Sequence, residues 1–206
     1  MERYKYFVDI HEYREYLTKL KLTSIGRGSE GVAFLTSDGK VLKTFNGVFK
    51  PKISEEEKNE IIMAQDFNVS SYLFPEQLLI LNGLIIGYIS KYFPGNIIKF
   101  SAPYNGRIDE IDVDNLLKAY HKMVKDTKII SKDKVMIYDL AFNLLFNNQD
   151  LAAIDTFNYF RDNIPTLDEN LEVLDCALLH ELHFHDIRFE PDYDKSVEYN
   201  LRRIKK

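Results

Sequence analysis

The chain has 206 residues, 45% of them hydrophobic and 29% charged, with a formal net charge of -5. That is the composition of a globular protein, long enough for one large domain or two small lobes, and its acidic balance argues against wholesale nucleic-acid binding, which needs a basic face. One cysteine, Cys176, excludes an internal disulfide framework, and no apolar run approaches the about 20 residues of a membrane span.

The start, Met1-Glu2-Arg3-Tyr4-Lys5-Tyr6, lacks the apolar centre of a secretory signal. The expectation is a soluble monomer in the cytoplasm, with no membrane and no nucleic-acid partner. Tyr13, Tyr16, Leu17 and Leu20 recur at helical spacing and predict a short amphipathic helix over about residues 10–20. Short apolar runs follow at Leu22–Ile25, Val32–Leu35 and Val41–Phe45. Ser37-Asp38-Gly39 separates the last two as a hairpin turn, so three antiparallel strands are expected.

After a loop containing Pro51, Ser54 and Glu57 stand in capping-box positions for a helix running to about Asn68. Gln77–Leu81 and Leu84–Tyr92 flank Asn82-Gly83, a strong hairpin signal. Beyond Phe93-Pro94-Gly95 the pattern turns helical. Leu116, Leu117, Tyr120, Met123 and Val124 form an apolar stripe. Compact apolar stretches at 135–137, 144–146 and 151–154 come next, with Asn147–Asp150 as a polar turn. Thr166 or Asp168 caps a helix to about Leu182, and a last helix is expected from Asp192 to the end. A strand-rich front (1–94) and a helix-rich back (95–206) predict two lobes of one domain.

Gly26-Arg27-Gly28-Ser29-Glu30-Gly31 is a Gly-x-Gly-x-x-Gly run. A dinucleotide fingerprint would leave a strand and open a helix. Here the run lies between two strands, the setting for a flap whose backbone N–H groups approach phosphate oxygens. Lys43 follows on the third strand, on the same face as Val41, and a lysine beside apolar neighbours needs an anionic partner. Among the glutamates of the next helix, Glu60 is the first choice for that partner, on the face of Met63, Ala64 and Phe67. Glu57 is the second.

Further on stand Tyr138-Asp139-Leu140-Ala141-Phe142-Asn143-Leu144-Leu145 and Ala153-Ile154-Asp155-Thr156-Phe157. With these, the chain resembles the protein kinase superfamily over about residues 21–160, and in particular the minimal atypical kinases of bacterial effector type. The resemblance implies Asp139 as catalytic base with Lys43 as the other catalytic residue. It implies Asn143 and Asp155 as ligands of Mg²⁺, and Gly26, Gly28, Ser29, Gly31, Lys43 and Glu60 around ATP. Ser90–Gly95 looks like a hinge whose backbone near Lys91 and Phe93 would meet adenine. The implied fold is α+β and two-lobed, with a five-stranded antiparallel N-lobe carrying one main helix and a truncated helical C-lobe.

The departures are specific. Asp139 precedes Asn143 by four residues where the kinase pattern uses five. Ile137 and Tyr138 replace the usual His-Arg, Ala141 stands where many kinases carry a lysine, and Asp155-Thr156-Phe157 lacks the glycine. The implied activity is an ATP- and Mg²⁺-dependent transfer of the γ-phosphate to a hydroxyl of a protein substrate, in the cytoplasm or, for an exported effector, a host cytoplasm. A pseudokinase, a small-molecule phosphotransferase and a nucleotidyltransferase on the same fold stand as alternatives. His180, His183 and His185 with Glu181 and Asp186 miss zinc spacing by one residue and read as a helix C-terminus. Cys176 reads as a buried apolar filler and His121 as structural.

Overall fold

Alternating apolar residues in the front of the chain and helical stripes in the back build two separate packing units. The structure, a computed structural model, describes residues 2–47, 54–98, 111–133, 135–159, 166–183, 192 and 194–204. The loop around Pro51, His185 and Asp186 of the histidine group, and the Lys205-Lys206 tail lie outside the described residues. One unit comprises Met1–Asp66 with Phe74–Tyr92, the other Phe67–Leu73 with Phe93–Lys206.

In the first unit the elements run β1 (Tyr4–Phe7), α1 (Ile10–Lys19), β2 (Thr23–Arg27), β3 (Gly31–Leu35), β4 (Lys40–Phe45), α2 (Glu55–Met63), β5 (Gln77–Leu81) and β6 (Leu84–Lys91). The sheet has six strands in the order β1-β5-β6-β4-β3-β2. This corrects the expected five antiparallel strands: β1 is the sixth, and it pairs parallel to β5, Tyr4 opposite Leu78 through Phe7 opposite Leu81. Only Phe7 of β1 is buried, so the strand carries no apolar alternation and owes its place to its neighbour.

α1 lies where a short amphipathic helix is expected, over about residues 10–20. Asp9 caps α1 by accepting from the amides of His11 and Glu12. The helix then lays Tyr13, Tyr16, Leu17 and Leu20 against Leu42, Leu79, Leu81, Ile86 and Ile89 of the sheet. Burying each large apolar side chain contributes roughly 1.5–3 kcal/mol. The β5–β6 turn has Asn82 at φ 52 and Gly83 at φ 75, the two positive angles a type I′ hairpin needs. The capping box of α2 is complete, Ser54 and Glu57 each accepting from the other's amide. The helix stops at Met63 and tightens into a 3-10 turn, Ala64–Asp66, short of the expected Asn68.

The second unit contains β7 (Asn96–Ile97), α3 (Val113–Lys132), β8 (Leu144–Phe146), β9 (Leu151–Ala153), α4 (Leu167–His183) and α5 (Val197–Ile204). β7, β8 and β9 form a small antiparallel sheet. Its core gathers Leu116, Met123 and Ile130 of α3, Ile137, Leu140 and Leu144, Leu174 and Leu178 of α4, and Leu201 of α5. The segment Phe67–Leu73 belongs here through Leu73 N to Ala153 O, 3.0 Å, and Ala153 N to Ser71 O, 2.7 Å. The Asp126 carboxylate fixes it by accepting from the amides of Ser70 and Ser71 at 2.9 and 2.8 Å. The last helix starts at Val197 instead of Asp192. Asn200 turns back to accept from the Asp192 amide at 2.7 Å and to donate to its carbonyl at 2.8 Å, holding that stretch as a turn.

Candidate functional site

In the first unit, the glycine-rich run is a hairpin joining β2 and β3. Gly28 N donates to Gly31 O at 2.9 Å, which leaves Ser29 and Glu30 as the tip. Asn46 pins that tip: its side chain donates to Ser29 O at 2.9 Å and its amide to Glu30 O at 2.8 Å. The amides of Ser29 and Glu30 have no hydrogen-bond partner among the described residues. The three glycines differ in what demands them. A Cβ at Gly31 would lie 2.0 Å from Thr44 O, so the β3–β4 pairing itself requires glycine there. At Gly26 and Gly28 a Cβ would meet nothing within 4 Å. The fold does not require those two glycines, and an approaching anion would.

The pairing of β3 with β4 sets Ala33 opposite Lys43 and Gly31 opposite Phe45, so Lys43 and Phe45 share the face opposite buried Leu42. The Lys43 ammonium stands 5.8 Å from the Phe45 ring centroid and 3.3 Å from Glu30 Oε2 at the flap tip. This corrects the expected pairing with α2. Glu60 makes no ion pair with Lys43 among the described residues, and Glu57 spends its carboxylate on the Ser54 amide. The buried residues of α2 are Lys58, Ile61 and Ile62. Of the face expected to pack, Ala64 is buried, Phe67 half-buried and Met63 51% exposed, and Glu60 is half-buried. Lys91 closes β6 opposite Lys40.

In the second unit, Phe93 packs its ring over Gly95, whose amide donates to Phe93 O at 2.9 Å. Asn143 immediately precedes β8 and Ile154 immediately follows β9. Leu144 lies opposite Ala153, and Ile154 N donates to Asn143 O at 2.9 Å. The hairpin therefore brings Asn143 and Asp155 to the same end despite the strands and turn between them. The Asn143 amide nitrogen donates to the Asp139 carbonyl at 2.6 Å. A carbonyl can only accept, so this contact fixes which end of the amide faces it and turns Oδ1 away as the end that can serve a cation.

Three residues here have positive φ: Asp139 at 46°, Phe142 at 67° and Asp155 at 61°. Left-handed backbone is uncommon outside glycine and clusters at functional sites, where surrounding structure holds it in place. The holding groups are on α4. Asn170 accepts from Ile137 N at 2.9 Å and donates to Val135 O at 2.9 Å and Ser131 Oγ at 2.8 Å. Glu181, fully buried, accepts from Phe142 N, and the His180 ring meets the Phe142 ring edge-on. Beside β9, Thr156 Oγ1 donates to Leu73 O at 2.9 Å, fixing the turn after Asp155. Burial raises the Tyr159 hydroxyl well above its ordinary pKa, and Tyr72, Asp155 and Asp139 push the same way. Both aspartates are thus close enough to one buried ring for their charge to be felt.

Asn170 was not singled out in the sequence, and Glu181 only as part of a histidine group. The signal was present: both stand on the apolar stripe of α4 with Leu174, Ala177 and Leu178, where a polar residue must have a buried partner. Cys176 is exposed, on the opposite side of α4 from Leu174, which corrects its expected role as buried filler. His121 is exposed as well, beside Tyr120.

A divalent cation of the magnesium type suits the donors present. Asp155 and Asn143 Oδ1 are hard oxygen donors of the kind such ions accept, and those ions take few protein ligands and complete their shell with phosphate and water. No helix among the described residues is long and apolar enough to cross a membrane.

No protein-family model matches the sequence, and no curated protein does. Solved structures do. The crystal structure of a mutant PknI kinase domain from Mycobacterium tuberculosis aligns with a TM-score of 0.55, covering 82% of this chain and 76% of that one, at 12% identity. At that identity the likeness is one of architecture: the chain has a protein-kinase-like fold.

Proposed function

We propose that the protein is a phosphotransferase that moves the γ-phosphate of ATP to a hydroxyl of a protein substrate. The observation that carries this reading is the convergence in the second unit. One loop and one hairpin place Asp139, Asn143 and Asp155 together, with Asp139 and Asp155 held in left-handed backbone. Phosphoryl transfer is largely positioning plus neutralisation of charge, and the residues divide along those lines. Asp139, exposed on its loop, orients the acceptor hydroxyl and takes its proton. Asp155 and Asn143 hold Mg²⁺, which when bound neutralises phosphate charge. Lys43 meets the phosphates from β4, and the Ser29 and Glu30 amides supply the donors at the flap tip. Gly26 and Gly28 leave room for that approach. Lys91 and Phe93 flank the adenine by their backbone. The chain acts as a minimal kinase, in the cytoplasm of its own cell or of a host.

The experiment is a transfer assay with γ-labelled and α-labelled ATP. Label from the γ position only, lost roughly 100-fold or more in Asp155→Ala and Lys43→Met with the circular dichroism spectrum intact, is the expected result. Label from the α position instead assigns nucleotidyl transfer. If neither label moves to any protein and the Asp155→Ala variant matches the parent chain, the enzyme reading falls.

A further inference from the structure

We propose that the exposed face of α3 docks the second unit on an anionic phospholipid surface. The helix carries five lysines, Lys118, Lys122, Lys125, Lys128 and Lys132, and every one is exposed. At 100° per residue they fall within about a third of the helix circumference, and successive members are three or four residues apart. Like charges at that spacing repel, so the isolated fold carries a strain that a negative surface would relieve. The only acid between Lys118 and Lys132 is Asp126. It is buried and accepts from the Ser70 and Ser71 amides.

Charge pairing inside the chain does not quench this row. Lys122 bonds Asp150 at 2.6 Å. Lys118 reaches only the neutral Asn115. Lys125, Lys128 and Lys132 have no carboxylate partner among the described residues. This is a chain with 32 acidic and 27 basic residues, where a random surface would supply acids. On the neighbouring helix α5, Glu198 is already taken up by Arg202 at 2.6 Å.

The shape selects the partner. Val113, Leu116, Leu117, Ala119, Met123, Thr127 and Ile130 bury the opposite side of α3, so the helix lies flush with its unit and cannot enter a nucleic-acid groove. The row is all lysine and no arginine, which suits a diffuse negative potential better than bidentate phosphate recognition. Ile129, 37% exposed, sits within the row and adds a small apolar contact. A straight basic row on a flush helix, with an apolar residue inside it, meets the flat charged face of a bilayer.

The test is co-sedimentation of the full chain with vesicles of phosphatidylcholine alone and of phosphatidylcholine mixed with phosphatidylserine. Binding to the mixed vesicles only, weakening as salt is raised, is expected. Each lysine replaced should lower the partition about fivefold. The triple variant Lys125→Glu, Lys128→Glu, Lys132→Glu should therefore lose binding while its melting temperature stays level or rises. A control triple on the first unit, Lys5→Glu, Arg14→Glu, Lys19→Glu, should bind as the parent does. The proposal is overturned if the parent ignores the mixed vesicles at low salt. Equal loss in both triples overturns it too, as does binding to a DNA duplex or an acidic peptide without binding to the vesicles. Transfer activity is not read in this experiment, so its outcome is separate from that of the kinase reading.

Discussion

Lys43 illustrates how much one residue's company decides. Its side chain is 13% exposed and pairs with that of Glu30, which is 35% exposed. Partly exposed ion pairs are worth little in stability, so the pairing matters more for what it competes with. Glu30 presents to Lys43 the same negative oxygen that a phosphate would. Removing that competitor in Glu30→Gln should tighten ATP binding by roughly two- to fivefold. Calorimetry on the purified chain measures it. An unchanged or weaker affinity would place the phosphates away from Lys43. Asp139, Phe142 and Asp155 make the complementary point: their left-handed backbone costs about 1 kcal/mol or more each, and only neighbours such as Glu181 and Thr156 hold them there.

At the scale of elements, α4 is the support on which the candidate loop rests. Asn170 satisfies an amide, a carbonyl and a hydroxyl, and is itself 1% exposed. Truncating it in Asn170→Ala leaves those groups buried without partners, a cost of about 2–4 kcal/mol. Urea unfolding followed by circular dichroism should show that loss; a change below about 0.5 kcal/mol would mean water replaces the side chain freely. The hairpin β8–β9 is the other decisive element. Its Asn147–Asp150 turn was legible because Asn147 Oδ1 accepts from the Gln149 and Asp150 amides, a local motif that sequence exposes directly. Which stripe α2 buries was not legible, since Ile61, Ile62 and Met63 are consecutive and offer more than one apolar face. Packing alone chose the stripe with Lys58, Ile61 and Ile62.

For the whole molecule, the proposed ligand should act as a stabiliser. A nucleotide at about 100 times its dissociation constant adds about 2.7 kcal/mol to the state that binds it, a rise of roughly 5–10 °C in melting temperature for a chain of this size. Calorimetric scans with ATP and Mg²⁺ should show the rise, EDTA should remove most of it, and Asp155→Ala should show little of it. A shift that ignores EDTA would argue against a metal held by Asp155 and Asn143.

The sequence by itself determined what depends on near neighbours. The Asn82-Gly83 hairpin, the Ser54–Glu57 capping box and the glycine flap between strands are each set within a few residues of chain. Only the tertiary structure decided what depends on distant partners. β1 became a strand because β5 offered it an edge. Phe67–Leu73 joined the second unit because Asp126 and Ala153 bind its backbone. Lys43 found Glu30 because the register of β3 with β4 sets its ammonium beside the flap tip. Local hydrogen bonding and turn chemistry are written in short stretches of residues, whereas a choice between competing partners is a difference in packing energy that exists only once the core has formed.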